Sequence, residues 1–357
     1  MLQSSVEHYP SNTEMTSLLK PGASSTWHNE GMNCFDIIGD VHGQGEKLKG
    51  LLKRLGYSKS SGAYRHAYRQ AIFVGDLIDR GKEQPTVLSI VRNMQEAGAA
   101  QVIMGNHEFN AIAYATEDYR HPGHYLREHS AKNNKQHKWF LEEFTSKEQA
   151  VLIDWFKSLP LWLDLDEGIR VVHACWHESS KHLVEQSLVA GQLTDDILVE
   201  AATTGTDLYN AVEVLLKGPE LSLEQYGLPT FLDKGGDPRK RARIRWWNGD
   251  GRSLSDLAEI PPDATDEQGV NYPQFEDAPC TESDLAYAYR DTKPVFFGHY
   301  WRQWPPKKVF DWTDTTASVD FSAAKGGPLV AYRWDGESTL TDANYMEYPG
   351  NTNLTTR

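Results

Sequence analysis

Cysteine is scarce: Cys34, Cys175 and Cys280 are the only three in 357 residues, an odd number with wide spacing. That excludes a disulfide framework and a thiolate zinc site, and it suits reduced thiols in a cytoplasm. Long apolar runs are also missing. Mean hydropathy is -0.58, and the longest runs, such as Val295–Gly298, are strand-sized, far short of the ~20 residues that cross a bilayer. No membrane partner is expected. The first ~30 residues hold no apolar core of a secretory signal, so the expected location is cytoplasmic. Basic residues are outnumbered, 36 Lys+Arg against 50 Asp+Glu, for a formal net charge of -14. Such a charge repels a phosphate backbone at long range, which speaks against a stable nucleic-acid partner. A small phosphorylated substrate stays possible, because a site can be locally positive.

What remains is ordinary globular material, with 39% hydrophobic and 24% charged residues, enough for a sizeable core. Residues 1–33 are rich in Ser, Asn, Thr and His and are expected to be a weakly structured extension; Met1 and Met32 are both candidate starts of translation. A single domain is expected over 34–345, followed by a polar tail over 346–357. Within it, short β-rich runs alternate with helical patterns: Phe35–Ile38, Ala71–Val74, Gln101–Met104, Ile169–Val172, Pro294–Phe297, Ala317–Phe321 and Leu329–Trp334. Leu48, Leu51, Leu52 and Leu55 have the spacing of an amphipathic helix, and Pro85 opens a second. The spacing of Ser146 to Gln149 predicts a capped helix ending near Leu159, and Thr194 with Asp195 and Asp196 predicts a long one reaching about Lys217. Residues 178–293 are expected as a helical and irregular insertion or cap. The alternation by itself argues an α/β class.

The informative feature is the short polar motif at the end of each strand. Gly39-Asp40-Val41-His42-Gly43 comes after the first, Gly75-Asp76-Leu77-Ile78-Asp79-Arg80-Gly81 after the second and Gly105-Asn106-His107-Glu108 after the third. Two later runs end at His173 and at Gly298-His299. Strand carboxyl ends are where α/β sheets gather their ligands. Carboxylate, imidazole and amide donors without thiolates suit hard-to-borderline divalent ions, and a shared carboxylate can hold two of them. His177 competes with His173, but no strand leads into it. Glu108 reads as a loop support.

These motifs together resemble the calcineurin-like metallophosphoesterases, and within them the phosphoprotein phosphatases, with GDxHG, GDxxDRG and GNHE followed by two isolated histidines. The resemblance implies a four-layer α/β/β/α sandwich of two mixed sheets. It implies two divalent ions per chain, Mn first and Fe, Co, Ni or Zn as alternatives. Asp40, His42 and Asp76 would hold one ion, and Asp76, Asn106, His173 and His299 the other. His107 would be the general acid, oriented by Asp79, while Arg80 and Asn106 would bind the substrate phosphate. Hydrolysis would proceed by attack of a hydroxide held between the ions.

A stretch at Arg241–Trp247 resembles the Arg-x-Arg-aromatic segment of symmetrical diadenosine tetraphosphatases, so Arg243 or Arg245 is expected on the phosphate. The stretch from Ser318 to Leu329 resembles the bacterial and phage lambda-type phosphatases, with Phe321-Ser322 where their pattern has Thr-Gly. Expected substrates are phosphomonoesters or phosphoproteins first, dinucleoside polyphosphates second and RNA ends third. An inactive, metal-bound scaffold is the remaining reading. Trp246, Trp247, Trp301 and Trp304 are either packing residues or, under the nucleotide reading, stacking platforms for a base.

Overall fold

The computed structural model describes residues 34–188, 193–233, 236–261, 264–272 and 278–349; the expected extension over 1–33 and the tail beyond 349 lie outside them. Two sheets carry the site. The first contains β1 (Phe35–Ile38), β2 (Gln70–Phe73), β3 (Ala100–Val102), β11 (Leu329–Trp334) and β12 (Tyr345–Tyr348), in the order β12-β11-β1-β2-β3. β1, β2 and β3 run parallel, and β11 and β12 add antiparallel neighbours. The second contains β4 (Trp162–Asp164), β5 (Arg170–Val172), β9 (Val295–Phe297) and β10 (Thr316–Ser318), in the order β10-β9-β5-β4. It too is mixed, since β9 is parallel to β5 and β10 while β4 is antiparallel to β5.

Side-chain alternation explains why the sheets face each other. In a strand, successive residues point to opposite faces. Phe35, Ile37, Ile72 and Val74 from one sheet meet Ile169, Val171, Phe296 and Ala317 from the other in a shared core. Their neighbours Ile38, Ala71 and Phe73 point the other way, onto α1 (Gly45–Arg54) and α2 (Gln84–Glu96). Leu48, Leu51 and Leu52 bury that face of α1 completely, each contributing about 1.5–3 kcal/mol. On the second sheet, Val172, Val295 and Phe297 pack outward with Leu208, Val212, Leu215 and Leu216 of α6 (Asp207–Lys217). The layers are therefore α/β/β/α. Part of the segment expected as a cap supplies the outer helical layer.

Three expectations change. The long helix from Thr194 is two helices, because Gly205 takes φ 95° and Thr206 caps α6 by accepting the Tyr209 N–H. The cap of α5 (Ser146–Lys157) is Thr145, paired with Glu148, one residue earlier than its pattern suggests. The expected tail begins inside the sheet: Met346 to Tyr348 continue β12 and pair with β11, because alternating Tyr345 and Met346 can each bury against a different core. Among the described residues, no helix is long and apolar enough to cross a membrane.

One ion pair pins the first sheet. Asp36 and Arg69 are both buried, with Arg69 Nε 3.1 Å from Asp36 Oδ1 and its Nη2 donating to the Phe35 and Trp334 carbonyls. Arg333 Nε reaches the same carboxylate at 2.9 Å. Asp36→Ala would remove the buried carboxylate that Arg69 and Arg333 share, leaving Arg69 only its pair with Asp335, and the expected loss is about 3–5 kcal/mol of unfolding free energy. Urea denaturation checks it; a loss below about 1 kcal/mol, the range of an exposed pair, would contradict this role.

Candidate metal centre

All the strand-end motifs converge on the edge of the sandwich. The β1 exit carries Asp40 and His42, and the β2 exit carries Asp76, Asp79 and Arg80. Asn106 and His107 open α3 (Asn106–Ala115) after β3, while His173 and His299 follow β5 and β9. The backbone is strained where the chemistry is: His42, Asp76, Asp79, Arg80 and His299 have φ of 45°, 51°, 67°, 62° and 62°. Non-glycine residues rarely adopt this region, and such outliers gather at functional sites. Gly298 is required by proximity, because a Cβ there would collide with Asp40 Oδ1.

Asp76 is the hub. Its Oδ2 lies 3.4 Å from His42 Nε2, and its Oδ1 lies 3.4 Å from His173 Nε2. One carboxylate thus presents an oxygen to each of two clusters, His42 with Asp76 and His107, and Asp76 with His173 and His299. Asn106 Oδ1 sits 3.0 Å from His173 Nε2 and 2.8 Å from His299 Nδ1. The His299 N–H points at both Asp40 oxygens, at 3.3 and 3.2 Å. Glu108 supports the loops, as its position suggests: its carboxylate accepts the N–H groups of Asp76, Leu77 and Gly105. His177 is excluded from the centre, with its Nδ1 on Ser180 Oγ at 2.8 Å.

The donor set fits divalent cations on three observations. His42 Nε2 and His299 Nε2 are sealed from solvent without a hydrogen-bond partner, an arrangement that costs free energy unless something accepts their lone pairs. His42 and His173 direct Nδ1 at the Ile78 and Val74 carbonyls, at 2.8 and 2.7 Å, which makes Nδ1 the donor and leaves Nε2 as the ligand atom. Burial, then the neighbouring Asp320 and Asp76 carboxylates, pushes Asp40 well above the usual carboxylate range, a repulsion that cations would relieve.

The histidines divide into two kinds. Burial, with Arg80 and His107 beside it, pulls His42 well below its ordinary value; burial, with Arg243 and His173, does the same to His299. Both stay neutral, as ligands must. His107 goes the other way. Burial opposes its charge, but the Asp76 and Asp79 carboxylates outweigh burial and raise it. Its Nδ1 is 2.5 Å from Asp79 Oδ2. Although burial opposes ionisation of Asp79, hydrogen bonds from His107 and His137 hold that carboxyl at about 2. Neutral imidazole is the metal-binding form, so the carboxylates that raise His107 set it apart from His42.

Three further residues belong to this site. His137, fully buried, places Nδ1 3.1 Å from Asp79 Oδ1, and Gln136 Nε2 lies 3.3 Å from Asp79 Oδ2. Asp320, also buried, lies among Asp40, Asp76 and Arg80. Asp320 had a signal in the stretch that resembles lambda-type phosphatases; Gln136 and His137 had none.

The arginine pair is separated by strand register. Arg243 is in β7 (Arg241–Ile244), flanked by buried Ala242 and Ile244, with its guanidinium over Tyr300 at 5.5 Å and close to His299. Arg245 lies beyond the strand, tied to Glu259 at 3.3 Å and to the Ala258 carbonyl at 2.9 Å. Of the two arginines it is Arg243 that lies beside His299, while Arg245 is turned to Glu259 and the Ala258 carbonyl. Trp246 and Trp247 are 0% and 1% exposed and stack around Phe297 and Tyr300, so they brace the His299 turn from behind and offer no face to a base. Trp304 packs on Phe321 and Tyr345. Trp301 is half-buried under the Lys325 ammonium.

Comparison with known proteins bears on this geometry. The calcineurin-like phosphoesterase family matches residues 35–207. The asymmetrical bis(5'-nucleosyl)-tetraphosphatase PrpE of Oceanobacillus iheyensis is 31% identical over 186 residues, 48% of this chain and 67% of that one. PrpE of Bacillus subtilis is also 31% identical, over 144 residues, 39% of this chain and 56% of that one. A symmetrical bis(5'-nucleosyl)-tetraphosphatase of Vibrio parahaemolyticus is 24% identical over 312 residues, 85% of this chain and 97% of that one.

Proposed function

We propose, from the premise that this chain belongs to the calcineurin-like phosphoesterase family of hydrolases acting on phosphoesters through divalent metal ions, that its substrate is a dinucleoside polyphosphate. The observation that carries the chemistry is Asp76, whose two carboxylate oxygens face two separate imidazole clusters. The substrate class is supported by the names of the relatives, symmetrical and asymmetrical tetraphosphatases alike. This reverses the expected order, in which phosphomonoesters and phosphoproteins came first.

Asp40, His42 and Asp76 would hold one ion, and Asp76, Asn106, His173 and His299 the second. Divalent ions there supply Lewis acidity to the phosphoryl oxygens and to the attacking water. The chain does the rest. Arg80, exposed at the rim, forms a fork on the non-bridging oxygens, and Arg243 takes the opposite side beside His299. His107, set between the Asp76 and Asp79 carboxylates that favour its charged form, donates its Nε2 proton to the departing oxygen. Asp79 holds the ring by Nδ1 and is itself held by His137 and Gln136.

Arg243 and Arg245 separate experimentally. Arg243→Ala is expected to lower kcat/KM by about 10- to 100-fold, the value of a charge-assisted hydrogen bond. Arg245→Ala should instead lower the unfolding temperature, by removing the half-buried ion pair to Glu259 and the hydrogen bond to the Ala258 carbonyl. Equal losses of kcat/KM in the two variants would contradict the assignment. The substrate reading is tested by offering metal-loaded protein a bis(5'-nucleosyl) tetraphosphate, a phosphopeptide and 4-nitrophenyl phosphate. The tetraphosphate should give the highest kcat/KM; a phosphopeptide turned over faster would restore the protein phosphatase reading.

A further inference from the structure

We propose that Arg127 reads the phosphate chain of the leaving group, binding phosphates that lie beyond the bond being cleaved. The proposal rests on the dinucleoside polyphosphate reading and adds the side chain that distinguishes such a substrate from a simple phosphomonoester.

Arg127 lies in the loop between α3 and α4 (Ala131–Gln136). Its Nη2 donates to Gln136 Oε1 at 2.9 Å. Gln136 Nε2 is in turn 3.3 Å from Asp79 Oδ2 and 3.4 Å from His107 Nδ1. The guanidinium is therefore one side chain removed from the general acid, whereas Arg243 borders His299. If His107 protonates the departing oxygen, whatever leaves does so along that side.

Charge accounting sets Arg127 apart. In a chain of net charge -14, carboxylates are plentiful. Arg69, Arg92, Arg170, Arg245, Arg302 and Arg333 are buried or half-buried, and each holds one. Among the described residues, Arg127 and Arg243 are the half-buried arginines with no carboxylate at ion-pair distance. The carboxylates whose charge acts on Arg127 are Asp79 and Glu213. Asp79 is engaged by two histidines, and Glu213 is paired with Lys217. Arg127 Nε is also sealed from solvent without a partner. Leaving a guanidinium half-desolvated and uncompensated is costly, and the cost is recovered when an anion arrives. Phosphate suits it best, because the planar fork matches two phosphoryl oxygens.

A dinucleoside polyphosphate supplies that anion and a simple monoester does not. On its hydrolysis the P–O bond to the leaving phosphate breaks, water adds to the phosphorus left behind, and the departing oxygen takes its proton from His107. The leaving group is then a nucleotide carrying its own phosphates. An alkyl or aryl leaving group has nothing for Arg127 to bind.

The variants to compare are Arg127→Gln, which keeps a polar reach toward Gln136 without charge, and Arg127→Lys, which keeps the charge. The ratio of kcat/KM for a bis(5'-nucleosyl) tetraphosphate to that for 4-nitrophenyl phosphate should fall about tenfold or more in Arg127→Gln, mostly through KM, and recover in part in Arg127→Lys. Inorganic tripolyphosphate should inhibit nitrophenyl phosphate turnover correspondingly less well in Arg127→Gln, with orthophosphate inhibition shifting far less. An equal loss on both substrates, with unchanged tripolyphosphate inhibition, would reduce Arg127 to a support for Gln136 and overturn the proposal. If the parent protein cleaved nitrophenyl phosphate but no tetraphosphate, the substrate reading itself would fall. Tripolyphosphate inhibition would still decide Arg127: weaker in the variant supports phosphate binding, and equal refutes it.

Discussion

His107→Asn lowers turnover of an alkyl phosphate by about 10²- to 10⁴-fold, the usual contribution of a general acid, while the variant retains the metal content of the parent chain. The expectation comes from the two kinds of histidine at the centre. His42 and His299 are held neutral by burial and by neighbouring cations, whereas His107 is raised by Asp76 and Asp79 against burial. A proton donor matters most when the departing oxygen is strongly basic. The loss should therefore be largest for an alkyl phosphate and smallest for 4-nitrophenyl phosphate. A nucleotide leaving group, whose phosphate oxygen is weakly basic, should behave like the latter. The same loss on all three substrates, or loss of metal, would place His107 among the ligands instead, which its distance of 3.8 Å from Asp76 Oδ2 permits geometrically.

The second large effect is at Asp76. Asp76→Asn keeps the size of the side chain but removes the charge that faces His42 on one oxygen and His173 on the other. It also weakens the acceptor for the His107 N–H, which donates to Asp76 Oδ1 at 3.0 Å. Both ions should be lost together, and turnover should fall on the order of 10³-fold or more, several kcal/mol of transition-state stabilisation. Elemental analysis alongside initial rates reads both. Retention of two ions with a near-normal rate would refute the shared-ligand assignment. Loss of one ion alone would move Asp76 into a single cluster.

How far these assignments were legible in the sequence depends on how local their causes are. Asp40, His42, Asp76, Asp79, Arg80, Asn106 and His107 sit in short glycine-bounded turns, so their spacing is itself the signal. The loops need glycine at such points as Gly75, where φ is 94° and a Cβ would collide with the Gly105 backbone. His173 and His299 could be picked out because a β-run precedes each, which the structure places side by side as β5 and β9. Arg243 and Arg245 could not be told apart. They differ by two positions, and the choice depends on where β7 ends and on Glu259, fourteen or more residues away and contributed by β8 (Ala258–Glu259). The tryptophans were open for the same reason, since burial against Phe297 is a tertiary fact. Arg127, Gln136 and His137 lie on a loop and a short helix without periodicity. Only the fold brings them to Asp79, so no pattern announced them.

The most direct test of the central claim is product-resolved hydrolysis of a bis(5'-nucleosyl) tetraphosphate by metal-loaded protein, with a phosphopeptide run in parallel. The result predicted is cleavage into nucleotides that stops on chelation, returns on adding a divalent ion, and exceeds phosphopeptide turnover in kcat/KM. An intact tetraphosphate beside a dephosphorylated peptide would contradict the substrate assignment, and turnover unaffected by complete removal of metal would contradict the centre built around Asp76.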